Sequence, residues 1–289
     1  MILLVIILEK SRVHKYTEKE IMIKLIATDI DGTILKYNFE FNQEVKDCIK
    51  QLTQDGVKVV LVTGRMHSAT DYIAEELGLE TPIVSYQGGL IKHNGDTLYE
   101  KNLDPERARE IIKWAKKNGV HLNLYMEDQL YVEKDDAVIR RYTGERSAGF
   151  IVKSFEEIEL KRINKMLAID FEDENKVTMW KEYLEVKYDD IHVVKSMPYF
   201  CEICHLEAKK SCAVDFLREH WNLEKEEIMT IGDQNNDLEL LSAGGVGVAM
   251  GNATEELKKV ADYVTDTVNN NGFVKAVEKF VRGCDEARL

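Results

Sequence analysis

Short apolar runs separated by amphipathic stretches recur along the chain, and their spacing predicts alternating strands and helices. The first convincing strand is KLIAT (24–28), opened by Met22. A helix from about Asn42 then places Val45, Ile49 and Leu52 on one face and stops at Gly56. VKVVLVT (57–63) is a continuous apolar run, as a parallel strand buried on both faces requires. Another helix runs to Gly78, and PIVS (82–85) is the next strand. After residue 200 the rhythm returns, with a helix over about 209–221, the strand IMTIG (228–232), a helix to about 243, VGVAM (246–250) and closing helices. Such alternation predicts an α/β fold with a doubly wound, mainly parallel, Rossmann-like sheet.

The middle of the chain breaks this rhythm. Asp104 and Pro105 form an N-cap and N1 pair for a helix through Ala108, Ile111, Ile112 and Ala115 to Gly119. LNLYM and QLYVE flank a short turn containing Asp128, a hairpin pattern. MLAIDF, a helix near 173–187 and IHVVK complete a compact α+β set. The expectation is a smaller α+β domain, 104–198, inserted into a core formed by 22–103 and 199–289, with 1–21 an N-terminal extension.

Length and composition agree with two globular units. There are 289 residues, 44% of them hydrophobic, enough for proper cores. Lys plus Arg is 39 and Asp plus Glu is 52, so the net charge is 39 − 52 = −13. An acidic chain has no general attraction for nucleic acid or anionic membrane. The longest apolar run, Ile2 to Leu8, is far short of a membrane span and lacks the flanks of a signal peptide. Five scattered cysteines suit free thiols in a reducing cytoplasm.

The chemistry lies at predicted strand ends, where open α/β sheets bind their ligands. The first strand ends on Asp29 and Asp31, followed by Gly32 and Thr33. The second ends on Thr63-Gly64-Arg65, and a later one on Gly232-Asp233, with Asn236 and Asp237 close behind. Clustered carboxylates raise one another's pKa and make poor structural residues. They suit a hard divalent cation, and Mg²⁺ takes one or two carboxylates with water and phosphate oxygens. Asp29 is placed to attack a phosphate ester and form an aspartyl-phosphate. Asp31 could protonate the leaving oxygen and then activate water. Thr63 and Lys210 would hold the remaining phosphate oxygens.

DIDGT (29–33), VTGR (62–65), a later lysine, and GDQNND (232–237) followed by VAMGNA (248–253) resemble the four motifs of the haloacid dehalogenase-like phosphatases. The inserted α+β domain resembles the cap of the Cof-type branch. The resemblance runs from about residue 22 to the C-terminus. It implies a metal held by the Asp29 carboxylate, the Asp31 backbone carbonyl and the Asp233 carboxylate, with Asp237 supporting the metal shell. It implies phosphate contacts from Thr63, Gly64, Lys210 and Asn236, and a substrate that is a small phosphorylated metabolite, a sugar phosphate or a phosphorylated cofactor. The chain departs from the family at LEAKKSCAV, where Ser211 stands in place of a glycine and Lys209 competes with Lys210. Lys210 is preferred because it begins the buried helical face of Ala213, Val214 and Leu217. A second departure is SYQGG (85–89), whose Gln87 replaces a more usual asparagine. Arg65 is either a substrate contact or half of a salt bridge.

CEICH (201–205) matches a c-type haem attachment pattern, but an alternating strand turns Cys201 and Cys204 to opposite faces. A phosphotransferase or phosphomutase with the same aspartyl-phosphate, and a non-catalytic phospholigand-binding protein, remain alternatives to hydrolysis. The partner expected is a small phosphorylated metabolite, with the protein a monomer or small homo-oligomer.

Overall fold

The computed structural model describes residues 22–146 and 149–283; the N-terminal extension expected at 1–21 lies outside them. The chain begins with β1 (Leu25–Thr28), α1 (Gln43–Gln54), β2 (Lys58–Leu61) and α2 (Asp71–Leu77). There follow β3 (Ile83–Ser85), β4 (Leu90–His93) and β5 (Asp96–Glu100). The intervening unit comprises α3 (Pro105–Asn118), β6 (His121–Met126), β7 (Gln129–Val132), α4 (Ala137–Arg146), β8 (Ile151–Val152), β9 (Ile163–Ile169), α5 (Glu174–Lys187), β10 (Ile191–Met197) and β11 (Phe200–His205). The chain closes with α6 (Lys210–His220), β12 (Ile228–Gly232), α7 (Leu238–Ala243), β13 (Val246–Ala249), α8 (Glu255–Val260), β14 (Tyr263–Val264) and α9 (Gly272–Phe280).

The first sheet has the order β14-β13-β12-β1-β2 and every pairing in it is parallel. Its strands are apolar without alternation because both faces are covered. Ile26, Val59, Leu61, Met229 and Ile231 pack on one side, and Leu25, Ala27, Val60, Val62 and Ile228 on the other. A small antiparallel sheet, β3-β4-β5, is attached through a bridge between Val62 and Val84.

The second large sheet has the order β10-β11-β9-β6-β7-β8. Leu122, Leu124, Met166 and Ala168 face α3 and α5 through one apolar cluster, while Tyr125, Leu167, Ile169 and Phe200 share another with Ile139 and Tyr142 of α4. α3 starts where the Asp104 carboxylate accepts from Glu106 N and Arg107 N, and stops at Gly119 with φ +65°. The strand β11 pairs with β9 and β10, so residues 200–205 belong to this sheet rather than to the core segment expected from 199. The apolar run of β11 reads equally well in either sheet, and only its pairing decides.

Candidate active site

Parallel pairing of β1 with both β2 and β12 brings three strand ends to one edge, so Asp29, Thr63 and Asp233 emerge side by side. Asp29 continues the ladder, its N–H donating to Ile231 O at 2.9 Å. From the start of α6, Lys210 reaches into this edge. Its ammonium donates to Asp29 Oδ1 at 2.5 Å and to Asp237 Oδ1 at 2.6 Å, and all three side chains are buried. Asp237 Oδ2 in turn accepts from Asp233 N (3.0 Å) and Gln234 N (3.1 Å). Both of its oxygens are therefore engaged in holding the loop and the lysine. Lys209 points away and pairs with Glu239 at 3.2 Å.

Asp233 Oδ2 accepts from Tyr37 Oη (2.8 Å) and Gln234 Nε2 (2.9 Å), and Oδ1 from Thr33 Oγ1 at a long 3.3 Å. Gly32 turns the chain beneath it with φ +81°, and a Cβ there would lie 2.3 Å from Asp233 Oδ2. Glycine is required both by the backbone angle and by the approaching carboxylate. Tyr37 and Asn252 were not singled out from the sequence, although Asn252 lies in VAMGNA; it donates to Gly32 O at 2.9 Å and accepts from Val268 N at 2.8 Å.

Burial pushes the Asp29 carboxyl well above its usual range; the Lys210 charge opposes this, and Asp237, Asp233 and Asp31 add to it. Burial, then Asp237, pushes Asp233 up to about 7. Burial disfavours the Lys210 ammonium, but Asp237 and Asp29 outweigh it and hold the group protonated above its ordinary value. Oxygens of Asp29, Asp233 and Asp237 all lie within 4.8 Å of one another. This all-oxygen, negatively charged set fits a hard divalent cation, whose charge would offset the mutual repulsion.

The Asp31 side chain is not part of that group. Arg65 grips it with two parallel bonds, Nε to Oδ2 at 2.7 Å and an Nη to Oδ1 at 2.5 Å. Arg65 also donates to Tyr72 Oη at 3.3 Å and lies over the Phe39 ring. Of the two roles open to Arg65, the structure shows the salt bridge. Thr63 Oγ1 is buried and accepts from Arg65 N at 3.2 Å. Asn236 Nδ2 donates to Gln87 Oε1 at 3.1 Å, and Asn236 Oδ1 is buried without a partner among the described residues. Such an orphaned polar atom belongs where a ligand completes the bonding. Gln87 (φ 59°) follows Tyr86 (φ 52°), two consecutive non-glycine residues in the left-handed region. Gly64 lies so close that a Cβ would be 2.3 Å from Gln87 Nε2.

Two residues of the second sheet also reach this edge, and neither was anticipated. Lys165 of β9 donates to Gly64 O at 2.7 Å and to Glu202 of β11 at 2.6 Å. Their charged side chains in otherwise apolar strands were the available signal. Tyr125 is buried and bonded to Tyr142, Arg140 is a surface partner of Asp135, and Cys201 and Cys204 are buried free thiols.

A family model of haloacid dehalogenase-like hydrolases matches residues 26–277. Phosphatase YwpJ of Bacillus subtilis is 30% identical over 277 residues, covering 86% of this chain and 96% of that protein. The 5-amino-6-(5-phospho-D-ribitylamino)uracil phosphatase YitU of the same organism is 25% identical, covering 89% and 97%. The solved structure of a haloacid dehalogenase-like hydrolase from B. subtilis superposes with a TM-score of 0.81 at 27% identity, covering 89% of this chain and 99% of that one.

Proposed function

Since the chain belongs to the haloacid dehalogenase-like hydrolases and is a phosphatase of small phosphorylated substrates, we propose that it hydrolyses a phosphate monoester through an aspartyl-phosphate on Asp29. The observation that carries this reading is the Lys210 ammonium bridging Asp29 and Asp237 beside Asp233. Lys210 engages Asp29 Oδ1, which leaves Oδ2 for attack on phosphorus. As the Asp29 oxygen–phosphorus bond forms, the bond from phosphorus to the alcohol oxygen breaks, and Asp31 supplies the proton that the leaving oxygen needs. Asp31 then takes a proton from water as that water attacks phosphorus, freeing Asp29 and inorganic phosphate. In each step Asp31 exchanges at least one of its Arg65 bonds for the reacting oxygen.

Thr63, Gly64, Lys210 and Asn236 hold the phosphoryl oxygens in this reading. The unpaired Asn236 Oδ1 supports a polar ligand at that place. Mg²⁺ would be held by Asp29, Asp233 and the Asp31 carbonyl, with Asp237, both of whose oxygens are already engaged, supporting the shell. When bound, the cation neutralises charge that develops on the transferring group. Residues 104–205 act as a cap over the site. We assign the substrate to sugar phosphates or phosphorylated cofactors, a class that includes the phosphorylated ribitylaminouracil for which the relative at 25% identity is named. The free thiols of Cys48, Cys201, Cys204 and Cys212 favour a cytoplasmic setting. No helix among the described residues is long and apolar enough to cross a membrane.

The test is release of inorganic phosphate from p-nitrophenyl phosphate and a panel of phosphorylated metabolites, with Mg²⁺ and with chelator. Release that requires the cation is expected. Transfer of the phosphoryl group to a second alcohol, or saturable binding without turnover, would overturn hydrolysis as the function.

A further inference from the structure

The three consecutive carbonyls of Thr63, Gly64 and Arg65 are each held by a separate donor. Gln87 N donates to Thr63 O at 3.0 Å and Tyr86 N to Arg65 O at 2.9 Å. Lys165 Nζ donates to Gly64 O at 2.7 Å. The outer two donors are backbone groups of the adjacent loop. The middle one is a side chain of β9, from the other sheet and 101 residues along the chain.

Lys165 is 3% exposed and its partner Glu202 4% exposed. Taking two charges out of water costs several kcal/mol for each ion, and apolar residues of similar volume often serve stability as well or better. Stability is thus a weak reason for this pair. Its geometry supplies a stronger one. The Gly64 carbonyl shares a planar peptide unit with Arg65 N, and Arg65 N donates to Thr63 Oγ1 at 3.2 Å. Fixing that peptide at its oxygen fixes its N–H on the Thr63 hydroxyl. With a lone pair so engaged, the hydroxyl keeps its own proton to donate.

We propose that Lys165 is a positioning residue for phosphoryl transfer. The cap brings its ammonium onto Gly64 O, the Gly64–Arg65 peptide is locked, and the Thr63 hydroxyl is aimed at the phosphoryl oxygens. Glu202 holds the ammonium in place. The phosphate-binding loop is then complete only when the cap is seated, and the effect falls on the phosphoryl group that every substrate shares, not on the alcohol. This inference rests on the assignment of Thr63 to the phosphate under the proposed function.

The experiment compares wild type with Lys165→Met and with the double variant Lys165→Met/Glu202→Leu. The double variant leaves no unpaired buried charge and keeps the volume, so it is expected to fold with a melting temperature close to wild type. Two kinetic readouts are kcat and KM in Mg²⁺ for p-nitrophenyl phosphate and for two alkyl phosphates. A third readout, independent of turnover, is calorimetric titration with inorganic phosphate. The expected result is a fall in kcat/KM of about 10- to 100-fold, by a similar factor for every ester, with weakened phosphate binding. Unchanged kcat/KM and phosphate affinity in the folded double variant would overturn the proposal. So would a loss confined to one alcohol, because that marks a contact with the leaving group. If wild type turns over no ester, the phosphatase reading fails by itself, and the phosphate titration still decides the role of Lys165.

Discussion

Gly32 carries two constraints at once, a φ of +81° and an Asp233 oxygen 2.3 Å from where a Cβ would stand. Gly32→Ala is therefore expected to lower stability by about 1–3 kcal/mol, read from chemical denaturation, and to displace Asp233 enough to lose cation-dependent activity. The lysines give a sharper contrast. Lys210→Met removes the ammonium shared by Asp29 and Asp237 and is expected to lower kcat by about 10²–10³-fold. Lys209→Met only frees Glu239 and should leave kcat within about twofold, since its ion pair is partly exposed. Apolar spacing in α6 pointed to Lys210, because the position that begins a buried face must put its side chain inside. No local pattern could have shown the Asp31–Arg65 clamp or the Lys165–Gly64 bond, since their partners meet only through the fold. Gln87 stood out in the sequence as a departure from the family; its close approach to Gly64 and Asn236 needed coordinates.

At the scale of elements, the β6–β7 hairpin is docked by its turn. Asp128 accepts from His67 N and Ser68 N, both at 3.0 Å, and from Tyr86 Oη at 2.6 Å. Asp128→Ala removes three acceptor bonds to the core at one point. Faster amide exchange at His67 and Ser68 is the expected outcome, with a stability loss on the order of 1–2 kcal/mol.

His192 of β10 makes another docking contact, its Nδ1 bonding Ala208 O at 2.9 Å. Burial holds its pKa below the ordinary histidine value; the Ala208 carbonyl and Glu239 act in the opposite direction, and Lys209 reinforces burial. With the folded pKa depressed, the unfolded chain binds the proton first on acidification. Stability from this group is complete above the unfolded pKa of about 6.5 and is lost as pH falls below it. His192→Gln should accordingly lose less stability than wild type between pH 7.5 and 5.5, measured by denaturant titration in one buffer series.

The long periodic elements were legible beforehand: α1, α3 with its Asp104 cap, α5, the β6–β7 hairpin and the parallel strands all lie close to their expected places. The β4–β5 hairpin lies outside the elements expected above, although Asn94-Gly95 at its turn is a strong signal. β11 carries no mark of which sheet it joins, so its pairing with β9 and β10 departs from the expectation that the core resumes at 199.

For the whole molecule, the two large sheets have separate apolar clusters, and the polar edge between them is where ligand binding should register. A ligand that binds only the folded state at 100 times its Kd stabilises by about 2.7 kcal/mol. Saturating Mg²⁺ should thus raise the melting temperature by roughly 4–5 °C. Asp233→Ala should abolish most of that rise, and a rise of wild-type size in the variant would place the cation elsewhere. The measurement that bears most directly on the account is phosphate release by Asp29→Asn beside wild type, in Mg²⁺, with melting curves for both. Asparagine keeps the shape but not the nucleophilic charge, so a folded variant with kcat reduced on the order of 10⁴-fold or more is the expected result. A folded Asp29→Asn protein that releases phosphate at close to the wild-type rate would contradict catalysis through Asp29.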